Sequence, residues 1–300
     1  MPPHADRRPR PGRGIASLAL GLVLLLAACG SGDDAGPDTD TAPSSTPSDV
    51  APREGTYVAL GSSAAAGPGA GALLDGPCLR SEESYPRVLA ARLGMELIDA
   101  SCSAATIDNV VDTPQRFGDS EQPPQIEAVT EDAALITVTA GGNDMDYIGT
   151  FMDCHSGCPP ERLDDEASRD ARFAAVTEEL VVMLGLLSDR APQARIVFVG
   201  FPIVIEDPSQ PCAPLTEEET DFLFDVGERL QAAFVEATDR ADVTYVDSYE
   251  GFRGHGACRP SEERWIEGAD PIPGAIPWHP NATGAAVLAD LTEQALSSGR

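Results

Sequence analysis

The sequence predicts a three-layer α/β/α domain on a five-stranded parallel sheet, and three observations predict it. Strand-like and helix-like stretches alternate five times after residue 54 with no internal repeat, the pattern of βαβ crossovers. The run Ala133 to Ala140 is continuously apolar or β-branched, which suits a central strand covered on both faces. Strand-like runs also stop abruptly at small residues, as at Gly61-Ser62-Ser63 and Gly141-Gly142-Asn143-Asp144, where a turn must follow closely.

Each element can be read in order. Thr56 to Leu60 is the first strand and runs into Gly61-Ser62-Ser63 and further small residues. A glycine-rich loop leads to Cys78. Ser84 to Leu93 then carries Tyr85, Val88, Leu89 and Leu93 at helical spacing before Gly94, a helix stop. Met95 to Ala100 is the second strand and ends at Ser101-Cys102-Ser103-Ala104-Ala105-Thr106. A short helix, Gln125 to Glu131, precedes the central strand at Ala133 to Ala140, and Met145 to Cys158 reads as loop and cysteine clip. Asp165 to Ser188 is a long amphipathic helix, Arg195 to Gly200 a fourth strand, Leu215 to Ala237 another helix, and Val243 to Val246 a fifth strand. Gly251 to Pro277 is irregular, and Ala282 to Leu296 is the final helix.

The N-terminus reads as a targeting segment. Arg7, Arg8, Arg10 and Arg13 precede an apolar stretch, Ile15 to Ala28, too short to span a membrane comfortably. Residues 1–28 are therefore expected to be a signal peptide, and Leu26-Ala27-Ala28-Cys29 reads as a lipidation signal that makes Cys29 the mature, membrane-anchored N-terminus. Residues 29–53 are Ser, Asp, Thr, Pro and Gly with almost nothing to bury, a disordered tether. The folded domain is expected over residues 54–300. The net charge is −29 and every one of the 20 basic residues is arginine; a nucleic-acid binder would need a basic face.

Of the 7 cysteines, Cys29 belongs to the leader, which leaves Cys78, Cys102, Cys154, Cys158, Cys212 and Cys258. An even set in an exported chain reads as disulfides, and sequential pairing is the simplest of several connectivities. The rival reading is a metal held by Cys154, His155 and Cys158. No cofactor or metal is expected.

The chemistry follows from where the strands end. In an open parallel sheet, ligands bind at the carboxyl edge. Ser63 at the first strand end reads as a nucleophile, the alternative being a serine that caps a helix. A serine nucleophile needs a base, an orienter for the base and donors for an oxyanion. His279, just before the last helix, is placed to return over that edge as the base. The N–H groups of Ser63 and Ala104 and the side-chain amide of Asn143 offer the donors.

Gly61-Ser62-Ser63, the turn around Ala104, Gly142-Asn143-Asp144 and His279 stand in the order of the four blocks of the SGNH hydrolases, the GDSL-type esterases and lipases. The resemblance covers residues 54–300. Secreted actinobacterial members are similar in their YVALGxS…AAGPG opening, their SCSxAT turn and their three sequential disulfides. The resemblance implies a flavodoxin-like SGNH hydrolase fold. It also implies Ser63 as nucleophile, His279 as general base and then acid, and Ser63, Ala104 and Asn143 as the oxyanion hole. Three positions depart from the family pattern. Its first-block aspartate is Ser62 here, its second-block glycine is Ala104, and the aspartate three residues before the histidine is Ile276. The last departure points to a Ser–His dyad in which the Ile276 backbone carbonyl holds the imidazole. Asp247 and Asp270 are the other carboxylates considered for that role. His255 is a surface residue or lines the pocket, and Trp278 packs beside His279 or walls an acyl chain.

The predicted protein is thus an exported serine esterase or lipase, monomeric, lipid-anchored at the outer face of the membrane or extracellular. Its substrate would be a lipid ester, an acetylated glycan or a small ester. The alternative is a non-catalytic, cell-envelope binding lipoprotein.

Overall fold

Strand β1 (Thr56–Gly61) is the element on which the site is built, and four of its side chains, Tyr57 to Leu60, are fully buried. A strand covered on both faces needs parallel neighbours bridged by helices, and β1 has them on either side. β2 (Glu96–Asp99) pairs with it through Ala59↔Asp99, and β5 (Ala133–Thr139) through Gly61↔Thr139. β6 (Arg195–Val199) and β7 (Thr244–Val246) complete a parallel five-stranded sheet in the order β2-β1-β5-β6-β7. A computed structural model describes residues 55–74, 76–154, 157–158 and 166–298. The predicted leader, Cys29 and the tether to residue 53 lie outside the described residues, as does His155.

Among the described residues the α-helices are α1 (Ser63–Ala66), α2 (Tyr85–Leu93), α3 (Ile107–Val111), α4 (Tyr147–Cys154), α5 (Glu166–Arg190), α6 (Glu217–Ala241), α7 (Ser248–Gly251) and α8 (Ala282–Ser297). α2 packs against α8, and α5 against α6. α5 buries Phe173, Val176, Leu180, Met183, Leu184 and Leu187, the apolar stripe legible in the sequence. α6 starts at a capping box in which Thr216 and Glu219 satisfy each other's backbone N–H groups.

Two segments differ from expectation. Met145 to Cys158 is not mainly loop: α4 buries Tyr147, Thr150, Phe151 and Cys154, an i, i+3, i+4, i+7 face in a segment too short for its periodicity to stand out. An antiparallel hairpin, β3 (Gln115–Phe117) with β4 (Ser120–Gln122), lies in the stretch expected to be loop. The disulfides are Cys78–Cys102, Cys154–Cys158 and Cys212–Cys258. The second of these commits both sulfurs of the metal site weighed above.

Candidate active site

Ser63 is the first residue of α1, immediately beyond β1, and is buried. Ser62 N–H donates to the Thr139 carbonyl (2.9 Å), tying the turn to β5. Gly67 closes α1 in the left-handed region (φ 71°), donating to the Ser63 carbonyl at 2.8 Å. A Cβ at Gly67 would lie 2.7 Å from Ser84 Cβ, so close packing as well as φ calls for glycine there. Among the described residues no protein acceptor meets the Ser63 N–H, which is free by virtue of its place at a helix start. Ser62 is buried, and among the described residues its hydroxyl has no partner.

The second strand end is held by covalent and backbone links. Cys102 N–H donates to the Gly61 carbonyl (2.9 Å), Ser103 N–H to Cys78 (3.0 Å), and the Cys78–Cys102 disulfide closes the loop. Ala104 is exposed and left-handed (φ 65°), a conformation that costs a non-glycine residue roughly 1–2 kcal/mol. Its N–H has no protein acceptor among the described residues. The third turn reaches across: Asn143 Nδ2 donates to the Ala105 carbonyl (2.7 Å), and the Asp144 carboxylate accepts from Ile107 N–H at 3.1 Å. Burial raises the Asp144 pKa to about 6, opposed by that N–H bond. One N–H of Asn143 is thereby used and one remains for a ligand.

His279 Nε2 lies 2.9 Å from Ser63 Oγ. Its Nδ1 lies 2.8 Å from the Pro277 carbonyl. A carbonyl only accepts, so Nδ1 carries the proton in the neutral ring. The Nε2 lone pair then faces the serine hydroxyl, which donates to it. Burial pulls the imidazole pKa below its ordinary value, against the Pro277 carbonyl, which favours the protonated ring.

The orienting carbonyl is therefore that of Pro277 and not that of Ile276. Trp278 adopts φ 62°, and this left-handed step turns the chain back so that the carbonyl two residues before the histidine meets the ring. Among the described residues neither ring nitrogen has a carboxylate partner. Asp247 is exposed and caps α7, accepting from Glu250 N–H and Gln231 Nε2. Asp270 is exposed, and its carbonyl accepts from Arg264.

The histidine-bearing segment belongs to no helix or strand. It is held against residues 265–267: Glu267 N–H donates to the His279 carbonyl (2.9 Å), Trp278 N–H to Glu267 (3.0 Å), and Asn281 N–H to Trp265 (2.9 Å). The Glu267 side chain is 2% exposed and takes bonds from Arg264 (2.8 Å), Asn281 Nδ2 (3.2 Å) and Ile272 N–H (3.3 Å). Trp278 is buried on Phe151, ring centroids 5.1 Å apart. His255 stacks on Trp265 and bonds to the Glu263 carbonyl. Beside the pair, Ile148, Phe201, Pro202, Val204 and Trp278 line a cleft with about 260 Å³ of empty space, part of it open to solvent. Pro277, Glu267 and Asp144 had no sequence-level signal of their role at the site, since each acts through a carbonyl or a fold-dependent contact.

Fold and site together define a class: an α/β/α protein with a serine–histidine pair at the carboxyl edge of its parallel sheet. The chain belongs to the GDSL-like Lipase/Acylhydrolase family, whose model matches residues 59–287. It is 32% identical to Lipase 2 of Streptomyces coelicolor over 265 residues, covering 80% of this chain and 85% of that protein. It is 26% identical to an esterase of Streptomyces scabiei, covering 74% and 79%. The crystal structure of an extracellular lipase from Streptomyces rimosus superposes with a TM-score of 0.63 at 25% identity, covering 80% of this chain and 99% of that one. The protein is accordingly a carboxylic ester hydrolase, and the non-catalytic alternative is not favoured.

Proposed function

We propose that the protein hydrolyses carboxylic esters through an acyl-enzyme on Ser63, with His279 as the proton carrier. The observation that carries this reading is the 2.9 Å contact between His279 Nε2 and Ser63 Oγ, with Nδ1 committed to the Pro277 carbonyl. Ser63 Oγ attacks the ester carbonyl while its proton passes to Nε2. The tetrahedral oxyanion takes bonds from the N–H groups of Ser63 and Ala104 and from the free N–H of Asn143, each worth about 3 kcal/mol in the transition state. The imidazolium then protonates the leaving alkoxide. Water, deprotonated by the same nitrogen, cleaves the acyl-enzyme and regenerates the serine. A backbone carbonyl fixes the tautomer but offsets the imidazolium charge less than a carboxylate would.

The cleft beside the pair is lined mostly by apolar side chains, as ordinary ligand sites are. Such a lining suits the hydrocarbon portion of an ester. Three disulfides favour an oxidising compartment, and the S. rimosus relative is described as extracellular. Both support export; on this reading residues 1–28 are the signal peptide and Cys29 is the lipid attachment site. Cys29→Ala should release the protein from the membrane fraction.

The function is tested by labelling the purified protein with a fluorophosphonate and by assaying p-nitrophenyl esters of increasing acyl length. Wild type should label stoichiometrically and hydrolyse the esters, and Ser63→Ala should do neither. Equal labelling of Ser63→Ala and wild type would sink the nucleophile assignment and revive a binding role.

A further inference from the structure

The peptide that precedes the nucleophile turn is clamped by a side chain distant in sequence. β2 pairs with β1 as far as Ala59↔Asp99, and the chain beyond it still bonds β1 through Ala100 N–H to the Ala59 carbonyl and Cys102 N–H to the Gly61 carbonyl, both at 2.9 Å. On that side the Gly61 carbonyl thus keeps a backbone bond, but among the described residues the Gly61 N–H has no backbone acceptor. Gln125, delivered by the turn after Pro123-Pro124, fills the gap. Gly61 N–H donates to Gln125 Oε1 (2.6 Å), and Gln125 Nε2 donates to the Gly61 carbonyl (3.0 Å). The primary amide thus supplies the acceptor that the Gly61 N–H lacks and adds a second donor to the carbonyl already bonded by Cys102.

Gln125 is 5% exposed, so no water replaces it cheaply. Its short 3-10 helix (Gln125–Ala128) is fixed at the far end by Arg190 Nε, which donates to the Val129 carbonyl at 2.8 Å. On the other side of the same turn, Ser62 N–H is bonded to Thr139. Gly61 sits at φ 122°, and a Cβ there would lie 2.2 Å from the Thr139 carbonyl oxygen. The residue is thus pressed onto β5 and gripped by Gln125 opposite. Two residues later stands Ser63, whose N–H and Oγ both depend on the orientation of this peptide.

We infer that Gln125 is a positioning residue for the nucleophile, setting the plane of the Gly61 peptide and through it the approach of Ser63 to His279 and the oxyanion. This rests on the assignment of Ser63 as nucleophile. A reacting atom misplaced by about 1 Å costs on the order of 10²-fold in rate.

The test uses the full mature protein with Gln125→Met and Gln125→Glu. Met matches the length without either bond. A protonated carboxyl reproduces both bonds, O–H to the Gly61 carbonyl and C=O from its N–H; the carboxylate repels that carbonyl. For Gln125→Met, kcat and the fluorophosphonate inactivation rate should fall roughly 10²-fold, with KM within about threefold. Gln125→Glu should recover activity as pH falls through the pKa of the introduced carboxyl, which burial raises, a limb absent from both wild type and Gln125→Met.

If both variants keep wild-type kcat per titrated active site and only melt earlier, Gln125 is merely structural and the inference is overturned. If Gln125→Met does not fold, the pH limb of Gln125→Glu decides, and its absence overturns the inference. If wild type itself does not label, the nucleophile assignment fails and carries this inference with it.

Discussion

The two halves of the Ser–His pair are held in different ways. The serine half is carried by regular structure: β1 is fully buried from Tyr57 to Leu60, α1 begins at Ser63 itself, and the turn between them is tied to β5. The histidine half is carried by irregular chain, pinned to residues 265–267 by backbone bonds and by one buried carboxylate, Glu267. A reactive side chain on a sheet edge inherits the rigidity of the sheet. One in a loop depends on the side chains that replace a ladder. The difference teaches that His279 is the less firmly held partner, although the proposed mechanism needs both.

The strongest way to test the equal chemical weight of the two halves is to remove the base. His279→Ala should lower kcat by on the order of 10⁴-fold or more, as removal of the serine does, measured with a p-nitrophenyl ester under saturating conditions. A loss of less than about 10-fold would mean that another group takes the Ser63 proton.

The asymmetry in support is tested at Glu267. Glu267→Gln replaces an acceptor-only carboxylate with an amide whose NH2 faces the donors of Arg264, Asn281 and Ile272, and leaves Arg264 without its counter-charge. The loss in stability should be about 3 kcal/mol. In hydrogen exchange, residues 265–281 should open more readily while residues 56–66 keep their protection. Uniform loss of protection would erase the distinction drawn between the halves.

pH sharpens the comparison from the chemical side. In the proposed mechanism His279 must be neutral to act, and burial lowers its pKa below the ordinary value of 6.5. kcat/KM should therefore rise with pH to a plateau, with the midpoint of the acid limb below 6.5. A limb above 6.5 would indicate a carboxylate near the ring, which the geometry does not provide.

The smallest effect is expected at the two aspartates weighed as acids for the dyad. Asp247→Asn and Asp270→Asn should each leave ester hydrolysis within a few-fold of wild type. A drop approaching the ~10⁴-fold seen where an aspartate orients a catalytic histidine would restore a triad.

Much of the fold was legible because its signals are local. Continuous apolar runs such as AALITVTA can only be buried strands, and the stripe from Phe173 to Leu187 can only be one helix face. α4 was missed for the converse reason: Tyr147–Cys154 is too short for its spacing to stand apart from a cysteine-flanked loop.

At the site, the residue types chemistry demands were readable from the chain. Ser63, Asn143 and His279 carry groups few other residues can supply, and the small residues after each strand mark where such groups emerge. The six cysteines of the domain were equally plain, and the sequential pairing expected for them is the pairing found.

Tertiary structure decided the contacts made by groups that every residue possesses or by side chains with no periodic signature. The carbonyl that holds His279 is that of Pro277 rather than Ile276, because the left-handed Trp278 turns the chain at that point. Every residue has a carbonyl, so composition cannot choose among them. The grip of Gln125 on Gly61 spans a sequence separation of 64, and the hold of Glu267 on the histidine segment joins stretches that no helical or strand period relates. Sequence determined which chemistry was present, since functional groups are written residue by residue. Only folding decided which neutral, ubiquitous groups aim it, because aim is a matter of distance and angle between segments far apart in the chain.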